Sequence, residues 1–253
     1  MIPYFSWTQI QLGPLTIQVW GTMVAIGILI GAWTGARFAA RRTLDANVIY
    51  SGAFWIIVGA FTVARLFHVL AYDLATYAAD PLEVLRVWHG GFSIFGGFLG
   101  ALSGYALFVW RRKINWLKYA DAFIYGLPLG LGCGRIGCFL IHDHPGTLTN
   151  SPLGIVYPDG QVRHDHGLYL SINGFVLAFV FFLLAKKDRS EGFFCQVFLV
   201  WYGSVRFFLD FYRLIDIRYF GLTPAQYGSI LMVAAGVAWA VYQRRRPVLA
   251  DKA

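Results

Sequence analysis

Seven long apolar stretches constrain the fold of this chain more than any other feature of its sequence. A helix needs about 20 mostly apolar residues to cross a lipid bilayer. Stretches of that length cover roughly residues 17–40, 47–70, 92–110, 119–141, 167–185, 192–213 and 224–243. Charged residues make up only 13% of the chain, about half of their share in soluble domains. The sequence therefore predicts an all-α integral membrane protein, with about seven transmembrane helices in one domain that covers residues 1–253.

The 21 Lys and Arg residues are spread unevenly over the connections. Most of them lie in the first, third and fifth connections and in the C-terminal tail, for example in the runs Arg111-Arg112-Lys113 and Arg244-Arg245-Arg246. Connections on the cytoplasmic side of a membrane carry an excess of Lys and Arg. We therefore predict that the N-terminus lies outside and the C-terminus lies in the cytoplasm, as an odd number of spans requires.

The net charge of +8 does not indicate a nucleic-acid partner. The basic residues occur in short runs between apolar stretches, and no long basic face with interleaved aromatic residues is present. The three cysteines, Cys133, Cys138 and Cys195, all lie in apolar segments. Buried thiols that act as small apolar side chains explain them better than a disulfide framework.

Local turn signals predict two further features outside the spans. Pro158-Asp159-Gly160 separates two short runs, 154–157 and 161–163, in the outward connection between the fourth and fifth predicted helices. Proline and glycine at these turn positions favour a tight reversal, so we expect a small hairpin there. Thr223-Pro224 is typical of an N-cap followed by the first residue of a helix, which predicts where the last helix begins.

Arginines within the apolar stretches are the main indication of function. A charge at membrane depth is costly and therefore suggests a functional site. Arg206, Asp210 and Arg213 are four and three residues apart and share one helix face, where Asp210 could simply neutralise its arginines. Arg135 has no acidic neighbour within one helical turn, so it pairs with a carboxylate on another helix or binds an anion. Because guanidinium groups suit phosphate, the pattern predicts a site for an anionic lipid.

Three glycines in the third predicted span, Gly96, Gly100 and Gly104, recur every fourth residue. This spacing places bare backbone along one face of the helix. The face allows either close packing of a neighbouring helix or a glycine-lined cleft for lipid, and the two interpretations are compatible.

The order of several short motifs resembles the prolipoprotein diacylglyceryl transferases of bacterial inner membranes over nearly the whole chain. The motifs are Trp20-Gly21, the run from Trp88 to Gly100, Gly134-Arg135-Ile136-Gly137, Arg163-His164 with Leu168-Tyr169, and Tyr202-Gly203 with Arg206, Asp210 and Arg213. The resemblance implies a multi-pass inner-membrane enzyme whose N-terminus and hairpin are periplasmic. It implies transfer of the diacylglyceryl group from phosphatidylglycerol to the lipobox cysteine of a prolipoprotein, with formation of a thioether and release of glycerol 1-phosphate. No cofactor and no metal are implied.

The resemblance also implies roles for individual residues. Arg135 and Arg206 would hold the lipid headgroup and the departing phosphate, which makes them both catalytic and substrate-binding residues. Five further residues that stand in the matching motifs are predicted to contact the substrates: Trp20, Gly96, Gly97, Tyr169 and Tyr202.

The chain departs from the family pattern where a base is needed. Phe95 stands where the family often has His or Tyr, and it cannot accept a proton. Two His-Asp-His triplets, residues 142–144 and 164–166, offer replacements, since histidine suits proton transfer near neutral pH. We predict that a histidine of these triplets, or Asp143, deprotonates the incoming thiol, and His142, Asp143 and His164 are the candidates for catalysis. The triplets could alternatively bind zinc, or they could be solvated loop residues without a role in the reaction.

These departures leave two other classes of function open. A diverged relative could use the same scaffold to bind or modify anionic lipid with a different acceptor. A small membrane transporter is a further alternative, although the chain shows neither an inverted repeat nor a pair of interrupted half-helices.

Overall fold

In the computed structural model, which describes residues 1–71, 74–86, 89–214 and 218–245, seven long helices lie where the apolar stretches predict them. They are α1 (Val19–Arg41), α2 (Ala46–Ala71), α4 (Ile94–Arg112), α5 (Trp116–Ile141), α6 (His166–Leu184), α7 (Phe193–Leu209) and α8 (Pro224–Arg245), and a short helix α3 (Leu74–Ala79) follows α2. Over the described residues, six of the seven, all except α4, are long and apolar enough to cross a membrane.

The prediction of an all-α integral membrane protein is confirmed. The number of spans and their orientation stay predictions. Trp88 of the third-span motif and Arg246 of the C-terminal basic run lie outside the described residues.

A small sheet carries the connection between α5 and α6. Its strands β1 (Ile2–Pro3), β4 (Pro145–Leu148), β5 (Ile155–Val156) and β6 (Val162–Asp165) are arranged in the order β1-β5-β6-β4. The predicted hairpin is confirmed as the antiparallel pair β5–β6, with Ile155 opposite Arg163. Gly160 closes its turn with a φ of 76°, a conformation that glycine adopts without strain. Strand β1, which pairs parallel to β5, and strand β4 were not predicted from the sequence.

A second, separate hairpin precedes α1. Strands β2 (Gln9–Leu12) and β3 (Leu15–Gln18) pair antiparallel across Gly13-Pro14, and Gly13 has a φ of 62°. The first span was expected to begin near residue 17, but residues 15–18 form a strand and the helix begins at Val19. The expected boundary was therefore two residues too early.

The described chain forms two compact units, one of residues 36–119 and the other of residues 1–35 and 120–253. In the unit of residues 36–119, α2 and α4 pack through a glycine stripe that consists of Gly96, Gly100 and Gly104. A Cβ on Gly96 would lie 2.7 Å from the carbonyl oxygen of Val63, and one on Gly104 would lie 2.6 Å from that of Trp55. A Cβ on Gly100 would overlap the carbonyl of Gly59. The stripe thus provides close helix packing, the first of the two interpretations.

Arg65 of α2 organises the connection that follows its helix. Its guanidinium is buried and donates hydrogen bonds to five backbone carbonyls, those of Glu83, Val84, Arg86, Gly90 and Gly91. These carbonyls balance the charge in the way that a ligand otherwise would. We conclude that Arg65 folds this connection and does not contribute to an anion site.

In the other unit, α5 contacts α1 and α6 backbone to backbone. A Cβ on Gly27 of α1 would overlap the carbonyl of Gly130, while one on Gly174 of α6 would lie 2.8 Å from the carbonyl oxygen of Pro128. Ser171 of α6 adds a hydrogen bond of 2.9 Å to the carbonyl of Gly132. Because glycine has no side chain, three helices approach closely along the segment that carries Arg135.

Asp121 of α5 caps the start of α7. Its carboxylate accepts the backbone N–H of Gly192 at 2.7 Å and that of Cys195 at 3.0 Å. These N–H groups have no partner inside α7, and Gly192 has no side chain with which to cap the helix itself. A buried acid of one helix therefore completes the first turn of another.

Replacing Gly100 by alanine is expected to destabilise the α2–α4 pair by about 1–3 kcal/mol, the usual cost of overpacking a tight contact. Thermal unfolding in detergent measures the effect. Gly97→Ala is the matched control, because a Cβ there would come no closer than 3.9 Å, to the Cβ of Ala64. Equal unfolding temperatures for the two variants would contradict the assigned packing.

Candidate functional site

Asp210 is the buried centre of a charged cluster at the end of α7, where the helix tightens into a 3₁₀ turn, Asp210–Tyr212. Its Oδ1 lies 3.1 Å from Nη2 of Arg206 and 3.7 Å from Nη1 of Arg213. Its other oxygen accepts a hydrogen bond from the hydroxyl of Thr223. Asp210 thus pairs with both of the arginines that share its helix face.

Thr223 connects this cluster to the last helix. Its Oγ1 accepts the N–H of Gln226 at 3.2 Å, and its own N–H donates to the amide oxygen of Gln226 at 2.9 Å. This reciprocal pair satisfies two backbone donors at the start of α8. The prediction of a cap at Thr223-Pro224 is confirmed, and the cap residue also bonds to Asp210.

His166, the first residue of α6, is a further member of the cluster. Its side chain is buried, and its Nε2 lies 3.2 Å from Nη1 of Arg206 and 3.9 Å from Oδ1 of Asp210. Because a guanidinium can only donate, Nε2 accepts and the imidazole is neutral. His166 is not among the site residues predicted from the sequence, although the second triplet includes it.

Arg135 lies half-buried on α5, one turn before Cys138, and its Nη1 is 3.8 Å from the sulfur. Among the described residues, no carboxylate lies within 4.0 Å of its guanidinium. The positive charge of the Arg135 guanidinium interacts electrostatically with the side chains of His166 and Arg206. Of the two alternatives for Arg135, these surroundings favour an anionic ligand.

Trp20 of α1 meets the same turn of α5. A Cβ on Gly137 would lie 3.2 Å from the backbone of Trp20. The structure therefore brings together two motifs that are more than 100 residues apart in the sequence, Trp20-Gly21 and the segment around Arg135.

His142 and Asp165 form a buried pair. Nδ1 of His142 lies 2.7 Å from Oδ2 of Asp165, and each side chain is only 1% exposed. The other oxygen of Asp165 caps α6 by accepting the N–H of Leu168 at 2.8 Å. Four aromatic rings surround the imidazole at centroid distances of 5.0–5.8 Å: Tyr4, Phe5, Phe139 and Tyr157. These contacts indicate that His142 holds the connection between α5 and α6 in place.

Asp143 and His144 are the partly exposed members of the first triplet. Oδ1 of Asp143 lies 2.5 Å from Nδ1 of His144. Together with the sulfur of Cys138, their ligand atoms fall within 4.8 Å of one another. Sulfur, oxygen and nitrogen form a zinc-type donor set, but the guanidinium of Arg135 beside the sulfur disfavours a second cation there. The pair is titratable and partly exposed, and it lies close to Cys138, the neighbour of Arg135.

The other predicted residues have partners of their own. His164 Nδ1 lies 2.7 Å from the hydroxyl of Tyr169, and burial lowers the pKa of His164. Tyr202 stacks on Phe198 at 5.1 Å and lies one helical turn before Arg206. The predicted glycines Gly96 and Gly97 belong to the unit of residues 36–119.

A family model described as prolipoprotein diacylglyceryl transferase matches residues 8–242. Phosphatidylglycerol–prolipoprotein diacylglyceryl transferases of Chromohalobacter salexigens and Cupriavidus pinatubonensis are each 34% identical to the chain. The alignments cover 94% and 96% of the chain and 92% and 93% of those proteins. A relative of the same name from Nitrosomonas europaea is 32% identical, with 97% of the chain and 93% of that protein covered.

Replacing Asp165 by alanine is expected to lower the free energy of unfolding by about 2–4 kcal/mol, because a buried imidazole N–H loses its acceptor and α6 loses its cap. The measurement is thermal unfolding in detergent. Asp143→Ala is the control, since it also removes a carboxylate that pairs with a histidine, but a partly exposed one. If the control were destabilised as much as Asp165→Ala, the assignment of the buried pair as structural would be wrong.

Proposed function

The chain belongs to the prolipoprotein diacylglyceryl transferase family, and from that premise we propose that it is a multi-pass enzyme of the bacterial inner membrane. It transfers the diacylglyceryl group of phosphatidylglycerol to the thiol of a prolipoprotein lipobox cysteine. A bond forms between the sulfur and the glyceryl carbon, the bond from that carbon to the phosphate oxygen breaks, and glycerol 1-phosphate leaves.

The observation that carries the proposal is the charge of Arg135. Asp210 pairs with Arg206 and with Arg213, whereas Arg135 has no carboxylate within ion-pair distance in the described part of the chain. A phosphodiester supplies the missing anion, and its oxygens match the donor geometry of guanidinium groups. The same cations stabilise the leaving phosphate, which gains negative charge as the bond to carbon breaks.

Arg206 is oriented before any substrate binds. One terminal nitrogen contacts His166 and the other contacts Asp210, so the plane of the guanidinium is fixed. A guanidinium has five N–H donors, and these two contacts leave others for a phosphate oxygen. Such preorganisation reduces the reorganisation needed during the reaction.

The Asp143–His144 pair is our candidate for the base. Of the predicted bases, His142 is enclosed by aromatic rings and His164 is bonded to Tyr169, whereas Asp143 and His144 are partly exposed beside Cys138. With Nδ1 held by the carboxylate, Nε2 of His144 can accept the proton of the incoming thiol. The thiolate then attacks the glyceryl carbon. In this proposal the pair supplies the proton acceptor that the family often has as His or Tyr at the position of Phe95.

Contacts with the rest of the substrate stay predictions from the motifs. Two observations support a headgroup contact for Trp20 and Tyr202: Trp20 is half-exposed beside Gly137, and Tyr202 lies one helical turn before Arg206. Tyr169 contacts His164 through its hydroxyl, and the role of Gly97 stays a prediction from its motif. The packing of Gly96 on α2 favours a structural role for that residue.

Two assays test the function and the role of Arg135 together. One is rescue of a bacterial strain depleted of its own diacylglyceryl transferase, and the other is thioether-lipid attachment to a lipobox peptide in phosphatidylglycerol vesicles. The wild-type chain is expected to pass both, and Arg135→Gln to lose about 100-fold or more in turnover, because a cation at the departing phosphate is removed. Arg86→Gln, which removes an arginine from the exposed ion pairs with Asp80 and Glu83, should stay active. Inactive wild-type protein that is folded would refute the function, and full turnover by Arg135→Gln would refute the role of that residue.

Replacing His144 by glutamine is expected to lower kcat by about 100-fold or more with little change in KM, as the loss of a general base does. The remaining activity should rise with pH towards about 8.5, because the substrate thiol then ionises without help. A pH profile of peptide lipidation measures both effects, and His164→Gln serves as the control. An unchanged profile in His144→Gln, or a loss confined to the control, would assign the base elsewhere.

A further inference from the structure

The hairpin β2–β3 in front of α1 has one apolar and one polar face. Side chains alternate between the faces of a strand, so residues directly opposite each other in the register share a face. On one face Ile10 is opposite Ile17 and Leu12 is opposite Leu15; on the other, Gln9 is opposite Gln18 and Gln11 is opposite Thr16. Every pair is therefore of one kind, apolar with apolar or polar with polar.

The apolar face has no partner within the described part of the protein that covers it. Ile10 is 51% exposed, Leu12 60% and Leu15 67%. The hairpin forms a two-stranded sheet of its own, so both of its edges are open. A contiguous patch of exposed apolar side chains marks a surface that contacts another apolar phase or molecule.

Three observations identify that phase as the lipid bilayer. The chain has no charged side chain from Ile2 to Ala36. Gln18 is followed directly by Val19, where the membrane-spanning helix α1 begins. Trp7 and Trp20 flank the hairpin with large exposed surfaces, and tryptophan is enriched where a bilayer meets water.

The open edges limit how deep the hairpin can lie. Backbone N–H and C=O groups without partners cannot stay in the hydrocarbon region, where no water satisfies them. At the interface, by contrast, these groups and the glutamine side chains are hydrated while the apolar face contacts acyl chains.

We propose that the hairpin Gln9–Gln18 lies flat in the membrane interface, with Ile10, Leu12, Leu15 and Ile17 turned towards the acyl chains. It is tied to the end of α5 that carries the site, since the N–H of Trp7 donates to the carbonyl of Leu140 at 2.9 Å. The hairpin thereby holds Arg135 at the depth of the lipid headgroups. Because it carries no charge, it binds zwitterionic and anionic lipid alike.

Spin labels on the two faces test the proposal. Leu12→Cys and Leu15→Cys report on the apolar face, and Gln11→Cys and Thr16→Cys, their matched controls, report on the polar face. Each full-length variant is labelled, reconstituted into phosphatidylcholine vesicles with or without phosphatidylglycerol, and exposed to oxygen or to a water-soluble nickel chelate. Protein without an added cysteine gives the background from the three native cysteines, which are buried or partly buried.

Labels on the apolar face are expected to show a several-fold higher ratio of oxygen to chelate accessibility than labels on the polar face, in both kinds of vesicle. Equal access of the chelate to both faces would place the hairpin in water and overturn the proposal. Exclusion of both reagents from the apolar face would also overturn it, because protein, either this chain or a second copy, would then cover that face. If the ratio of oxygen to chelate accessibility rose only in vesicles with phosphatidylglycerol, the hairpin would require anionic lipid. That outcome would contradict the proposal that it binds zwitterionic and anionic lipid alike.

Discussion

The buried carboxylate of Asp210 is the interaction on which the arrangement of the site depends. It gathers Arg206 and Arg213 from the end of α7, the cap residue Thr223 from the start of α8, and, at a longer distance, His166 from the start of α6. An unpaired charge buried at this depth would be strongly unfavourable, so these groups stabilise one another only as a set. Three helix ends are thereby fixed around one anion, and the guanidinium of Arg206 is oriented as a consequence.

Glycine makes the other half of the site possible. Since α1 and α6 approach the backbone of α5 through Gly27, Gly130 and Gly174, the segment before Arg135 is held between two neighbours. An arginine on a loosely packed helix would reach the headgroup region in many conformations. Here the turn that carries it is restrained, which lowers the entropy lost when it binds a phosphate.

The helices and the intramembrane arginines could be predicted from the sequence because both signals are local. A run of about 20 apolar residues is a span whatever surrounds it, and the spacing of Arg206 and Asp210 decides that they meet. The strands were harder, because β1 has two residues and pairs with a segment about 150 positions away. The β2–β3 hairpin did leave a signal, the alternation of glutamine with isoleucine or leucine around Gly13-Pro14, but no structure was predicted for residues 9–16.

The two His-Asp-His triplets show that residue types alone do not predict which histidine acts as the base. Histidines that look equivalent in sequence receive different surroundings: His142 is enclosed by aromatic rings, His166 accepts from Arg206, and His144 stays accessible. Only tertiary contacts make these distinctions, so the sequence could name the candidates for a base but not choose between them.

The cap that Asp121 provides for α7 has a consequence for biosynthesis. Its acceptor and the N–H groups of Gly192 and Cys195 are more than 70 residues apart, so the ribosome completes α5 well before α7 emerges. The first turn of α7 has its donors satisfied only when it docks on α5. The cap of α7 is therefore already in the membrane when that helix is inserted.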